Sequence, residues 1–342
     1  MIEIKEAVIT NITVHRIGIQ TDSSFINDKE VMFNFEEDED VITKTFLKPF
    51  TSCHATYEFR HDEDVELNPI FKIAKEINEE ADFVLKTKEI HQYLKDVSTH
   101  PNIKDGDLFV INYDNVKLGN EHYKALGIYK VENKETFIET MPDDTGRVKL
   151  NFKKGVGRKL DKGVLIVFSE EPFTVFVIDN GSVETDYWMN DFANVQLRND
   201  YVNNTTHFLE MTENFIKHKI PEEFDVNRTD QIDLLNRSVD YFKTNDSFVQ
   251  KEFEEEVLQD TNLIDTFHSY DEGYTHDKSI SFDEGFEISN KAVKKQAKNF
   301  KSVLKLDKNF SIYMHGDKSL VERGVDETSG KKYYKFYYDD EK

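Results

Sequence analysis

Sulfur chemistry is almost absent from this chain, which carries one cysteine, Cys53, in 342 residues. A single thiol forbids an intrachain disulfide and fits a reducing cytoplasm. His54 follows it directly, but neighbours on a strand point to opposite faces, so a Cys–His nucleophile and base is not expected there. Proline is scarce at six residues and tryptophan occurs once. No apolar run approaches the length of a membrane-spanning helix, and Glu3, Lys5 and Glu6 interrupt any signal-peptide core. The phosphate-loop spacing, the three-glycine dinucleotide fingerprint and the G-x-S-x-G elbow are all missing. Positive charge is the other shortage: 44 Lys and Arg stand against 67 Asp and Glu, a formal net charge of −23. Such a chain repels DNA and anionic membranes at long range. Contact with a polyanion must then come from local basic patches.

What is present argues for a folded protein. The hydrophobic fraction is 38%, with 27 Phe and 15 Tyr spread along the chain, unlike the composition of an acidic disordered segment. Residues 6–20 are rich in Val, Ile and Thr and read as one or two strands. The acidic cluster Glu36 to Asp40 reads as the start of a helix over 38–50, where carboxylates suit the positive N-terminus. A short strand is expected near 54–60. Asn68-Pro69 is a helix start, a capping side chain followed by Pro in the first turn. Ile70, Ala74, Ile77, Ala81 and Val84, then Ile90, Leu94 and Val97, predict one interrupted helix or two consecutive ones over 69–98. From 106 to 178 strand-like runs follow short polar turns, predicting a mostly antiparallel sheet. Its last two runs, 164–168 and 173–178, are apolar throughout, so both faces should be covered, one of them by the 69–98 helices. The second half reads as helices around Phe208–Phe215, Ile232–Phe242 and Phe248–Phe267, broken near Pro221 and Asn245-Asp246. It ends in strands over 310–314, 319–325 and 332–338. The fold class is therefore α+β: an N-terminal, mostly antiparallel sheet packed with helices, over 1–182, and a C-terminal helical region ending in a small antiparallel β element, over 183–342.

Two basic stretches stand out in this acidic chain. One is Lys153-Lys154-Gly155-Val156-Gly157-Arg158-Lys159, four cations framing two glycines. Glycine permits close backbone approach, and N–H groups flanked by Lys and Arg suit an anionic oxygen such as phosphate. A solvated basic loop between two strands accounts for the same residues equally well. The other lies in 289–305, where Lys291, Lys294, Lys295 and Lys298 fall on one helical face, opposite Ala292, Val293, Gln296, Ala297 and Phe300. That stripe would meet phosphates, or answer the Glu-rich run 252–256 before it. Asp107 with Glu132-x-Lys134 has the spacing of a metal-dependent nuclease site. In a chain with 32% charged residues such a pattern arises readily by chance, and no metal or cofactor is expected. His268 and His276 lack metal-ligand spacing.

Three features together resemble one family. They are the central Gly155-Val156-Gly157-Arg158-Lys159; the aromatic stretch Tyr187-Trp188 with Asp191-Phe192 before a long helix; and the C-terminal order of helix, strand Phe310-Ser311-Ile312-Tyr313-Met314 and a hairpin ending in a Tyr-rich strand. In this order and spacing the chain resembles the bacterial nucleoid-associated proteins of the NdpA/YejK type. That resemblance implies a cytoplasmic protein at the nucleoid, DNA binding, and interaction with a type II topoisomerase. The expectation is a non-enzymatic protein that contacts the DNA phosphate backbone through Lys153, Lys154, Gly155, Gly157, Arg158 and Lys159 and through Lys291, Lys294, Lys295 and Lys298. Homo-oligomer formation is compatible with it, and no membrane partner is expected. Two alternatives remain: a protein-interaction regulator of the topoisomerase working through its acidic surface, and a cryptic nuclease at Asp107, Glu132 and Lys134.

Overall fold

A computed structural model describes residues 2–18, 23–53, 55–142, 144–180, 187–278, 280, 282, 285–300, 303–314 and 318–340. His54 therefore lies outside the described residues, as do residues 181–186 and the side chain of His276. The chain divides into two compact units, Met1–Arg198 and Asn199–Lys342.

In the first unit the elements run β1 (Ile2–Glu3), β2 (Val8–Ile17), α1 (Phe35–Phe46), β3 (Tyr57–Phe59), α2 (Pro69–Asn78), α3 (Phe83–Val97), β4 (Gly106–Leu118), β5 (Glu121–Val131), β6 (Lys134–Pro142), β7 (Val148–Val156), β8 (Lys162–Val167), β9 (Thr174–Asp179) and β10 (Val195–Leu197). Eight strands make one sheet in the order β1-β4-β5-β8-β9-β3-β10, with β2 also on β4. Its pairings are antiparallel, as expected. Strand alternation sends Val164 and Ile166 of β8 toward α2 and α3, where Phe71, Ala74, Ile90 and Leu94 complete one core. Leu165 and Val167 face the other way, onto Phe46, Leu47 and Phe50. Both sheet faces are covered, which is why β8 and β9 carry no polar alternation. Asn68 starts α2 as its cap: Oδ1 accepts from the Ile70 and Phe71 amides at 3.0 Å, while the side-chain amide donates to Arg60, Ala193 and Asn194 carbonyls. The 69–98 pattern resolves into two helices, with Asp82 capping the second through the Leu85 amide. α1 starts earlier than its acidic cluster suggested, because Asn34 caps it through the Glu36 amide. It also stops earlier, and Pro49 falls in a separate 3₁₀ turn, Lys48–Ser52.

In the second unit α4 (Tyr201–Asn214) runs through a π-helical turn (Phe215–Lys219) into α5 (Ile220–Glu223). Pro221 does not break the chain there, contrary to expectation. It sits in the first turn of α5, where its missing N–H costs least. α6 (Arg228–Thr244) opens on a reciprocal capping box between Asn227 and Asp230. The acidic stretch 248–267 is not one helix. It contains β11 (Ser247–Val249), α7 (Gln250–Phe253), a π-helical turn (Glu254–Leu258) followed by Gln259 with φ 65°, and the start of α8 (Thr261–Lys278). β12 (Gly285–Glu287) pairs with β11, and α9 (Asn290–Gln296) follows. Two hairpins end the unit, β13 (Val303–Leu306) with β14 (Phe310–Tyr313) and β15 (Val321–Val325) with β16 (Lys332–Phe336). The core between the helices is dominated by phenylalanine, with Phe208, Phe215, Phe242, Phe248, Phe253 and Phe267 all buried.

Candidate nucleic-acid interface

The first basic stretch is half strand and half turn. Lys153, Lys154 and Gly155 belong to β7, which pairs with β6 as a two-stranded ribbon apart from the main sheet. Gly157, Arg158 and Lys159 form the turn into β8. The two strands of the ribbon were not among the expected runs, although Val148, Leu150 and Phe152 interleaving with Lys149, Asn151 and Lys153 carry the signal, and Asp144 to Gly146 supply the turn. The four cations are exposed. Lys153 pairs with Glu139 across the ribbon at 2.8 Å. Lys154, Arg158 and Lys159 have no ion-pair partner among the described residues. The two glycines make their close approach within the ribbon. A Cβ on Gly155 would lie 3.3 Å from the Phe137 ring, and one on Gly157 would collide with the Glu135 side chain.

The base of the ribbon is firmly held. Asp161, just before β8, accepts from the amides of Glu132 and Asn133 and from the Asn133 side chain, at 2.8–2.9 Å. One carboxylate thus ties the segment entering β6 to the segment leaving β7. Beneath it lie two buried lysines. Lys130 donates to the Lys104 carbonyl at 2.7 Å, to Glu132 at 2.9 Å and to the Tyr187 hydroxyl at 2.9 Å. Lys162 pairs with Asp179 at 2.6 Å, and both ammonium groups lie over the Tyr187 ring. Burial pulls the Lys130 ammonium below its ordinary pKa and Lys162 adds to that, while Glu132 opposes it. Burial also raises the Tyr187 phenol, with Glu132 adding to the effect.

A cleft of about 270 Å³ opens at the same place, lined by Arg16, Asp105, Gly106, Val131, Glu132, Lys134 and Lys154. It gathers Glu132 and Lys134 from the nuclease-like spacing, but their partners are already set. Asp107 is clamped between Arg16 at 2.8 Å and Lys134 at 2.5 Å, and Glu132 is turned to Lys130. Among the described residues no group of three or more His, Cys, Asp or Glu could hold a metal ion. A larger cleft, about 800 Å³, is lined by Asp28, Glu30, Glu80, Asp82 and Asp114 against Lys88 and Lys124. Its acidic lining is unsuited to a polyanion.

Behind Arg16 lies a pair of buried histidines, His15 and His91, with ring centroids 5.6 Å apart. His15 Nδ1 accepts from the Asn27 amide and Nε2 meets the Thr87 hydroxyl, while His91 Nε2 meets the Arg16 carbonyl. Burial, with His91 and Lys88 adding to it, lowers the His15 pKa to about 4. The folded protein therefore takes up this proton later than the unfolded chain, whose histidine titrates near its ordinary value. Stability is present in full above that value and is lost as the pH falls toward 4. Between pH 7 and pH 5 this one group should cost about 2 kcal/mol. Chemical unfolding at the two pH values should show His15→Asn losing less stability than wild type over that interval; an equal loss would refute the assignment.

In the second unit Lys291, Lys294 and Lys295 lie on the exposed side of α9 while Ala292, Val293 and Gln296 are buried. The helix is only seven residues long, capped by Ser289, and it stops at Gln296. Lys298 is exposed but lies past its end, because the chain turns there to bury Phe300 and enter β13. The expected four-lysine face is thus three lysines on a helix and one on the following turn. None of these lysines has an ion-pair partner among the described residues, so they do not answer the Glu-rich run there. His268 is bonded to Glu254 at 2.6 Å.

Tyr187, Trp188 and Phe192 are buried in the first unit, with Trp188 and Phe192 stacked at 4.7 Å between centroids. The order of these aromatics, the basic ribbon and the terminal hairpins agrees with a match to the family model described as nucleoid-associated protein YejK, which covers residues 13–342. The chain belongs to that family. Its description is of a protein associated with the nucleoid, not of an enzyme. A search of curated proteins finds no match. No helix among the described residues is long and apolar enough to cross a membrane.

Proposed function

We propose that this nucleoid-associated protein binds the DNA phosphate backbone, without catalysis, through cations concentrated at the foot of the β6–β7 ribbon. The observation that carries this reading is that Lys154, Arg158 and Lys159 stand exposed and without an ion-pair partner among the described residues, in a chain of net charge −23. Lys153 joins them when Glu139 releases it. Gly155 and Gly157 act by letting the ribbon and its turn pack closely. Lys291, Lys294, Lys295 and Lys298 are a second set of contacts in the other unit. Each neutralised phosphate releases counterions, so affinity falls with salt at a slope set by the number of contacts. Arg158→Glu with Lys159→Glu should flatten that slope by about 2 and weaken binding roughly tenfold or more. A salt titration on duplex DNA checks this, and an unchanged slope and affinity would remove the turn from the contact surface.

A second reading places a basic protein partner, the type II topoisomerase that the resemblance implies, on the acidic surface. It is favoured by Glu252, Glu255 and Glu256, which are exposed side by side. Recovery of such a partner by pull-down after nuclease treatment would support it, and no recovery would count against it.

A further inference from the structure

Away from its foot, the β6–β7 ribbon has one largely apolar face, and that face is in solvent. In the antiparallel register Ile138 opposes Phe152, Thr140 opposes Leu150 and Pro142 opposes Val148, so these six share a side. Ile138 is 62% exposed, Val148 68%, Leu150 56% and Phe152 65%. Cations reach this side only at the foot of the ribbon, through Lys134 and Lys154. Glu135, Glu139, Lys149 and Lys153 lie on the opposite face. A long apolar strand pair left open is an association site unless something covers it.

We propose that this face is covered by the same face of a second copy of the chain, in a two-fold homodimer. Three observations favour that occupant. The face is self-complementary: stacking it on itself sets Ile, Leu, Val and Phe against one another and buries no charge. The ribbon is also where two acidic chains can approach most easily. Over 134–156 the cations Lys134, Arg147, Lys149, Lys153 and Lys154 nearly balance Glu135, Glu139, Asp143 and Asp144, against −23 for the whole chain. Finally, the four large apolar side chains leave on the order of 500 Å² per copy accessible, so full pairing removes up to about 1,000 Å², the lower bound of a specific interface. DNA is a poorer occupant, because the outer part of this face offers phosphates no cation and only the Thr140 hydroxyl as a side-chain donor.

The test uses the full chain, by sedimentation equilibrium over a roughly hundredfold concentration range. Wild type should approach twice the 40.1 kDa chain mass. Leu150→Asp with Phe152→Asp should raise the dimer dissociation constant roughly a hundredfold or more, with an unchanged far-ultraviolet circular dichroism spectrum, since both side chains are exposed within one chain. Met141→Asp, on the opposite face, should leave the dimer intact. A monomeric wild type would overturn the proposal, as would a dimer indifferent to the double substitution or one broken equally by Met141→Asp. A monomer whose double variant loses DNA binding would assign the face to DNA instead.

Discussion

Glu132→Ala should destabilise the N-terminal unit by about 3–5 kcal/mol, because it removes the anionic partner of a lysine that has no access to water. The Lys130 side chain is 0% exposed and that of Glu132 8%. Without the carboxylate, the ammonium keeps only the Lys104 carbonyl and the Tyr187 hydroxyl. Two neutral acceptors do not offset the desolvation of a full charge. The chain must then either bury the ammonium unpaired or discharge it, and burial already draws that lysine in the second direction. The backbone amide of residue 132 still bonds to Asp161 in the variant, so the foot of the ribbon remains tied and the loss reports on the charge. Lys130→Met with Glu132→Leu removes both partners and should recover most of the loss. Urea unfolding of Lys130→Met, Glu132→Leu and the variant carrying both forms the cycle. A single-variant loss below about 1 kcal/mol would mean that solvent reaches this pair.

Phe208→Ala should cost about 3–5 kcal/mol in the second unit. Its ring is the hub of the aromatic core. It lies 4.3 Å from Phe248, 5.2 Å from Phe253, 5.5 Å from Phe282, 5.7 Å from Phe242, 5.9 Å from Phe267 and 6.4 Å from Phe286 between centroids. These rings come from separate segments of the unit, from α6 to β12, so their backbones cannot all move inward to fill the space. Edge-to-face geometry with Phe253, at 89° between planes, adds a directional part that an aliphatic side chain cannot replace. Phe208→Leu should therefore cost clearly less than the alanine variant but more than nothing. Thermal and chemical unfolding monitored by near-ultraviolet circular dichroism would measure both. Equal losses for the two variants would show that ring geometry contributes little.

Helix starts were legible because capping is local: Asn68-Pro69 fixes the first turn of α2 whatever surrounds it. So were β8 and β9, whose unbroken apolar runs require cover on both faces. Pro221 misled because a π-helical turn just before it lets the chain enter α5 with the proline in a permitted first-turn position. The basic stripe in 289–305 misled in the opposite sense. Its lysines keep helical spacing through Lys298, but the chain leaves the helix at Gln296 to place Phe300 in the core. Burial of one ring outweighed the propensity of a short lysine-rich segment.

By itself the sequence determined the charge excess, the two basic stretches, the α+β class and the family, since each follows from residue type and spacing along the chain. Only the tertiary structure decided which cations remain available. Lys130 and Lys162 are consumed inside the unit, Lys134 and Arg16 are spent on Asp107, and Lys154, Arg158 and Lys159 stand exposed without an ion-pair partner among the described residues. The reason is that an ion pair depends on distances of 2.5–4 Å between side chains remote in sequence, which no spacing rule encodes.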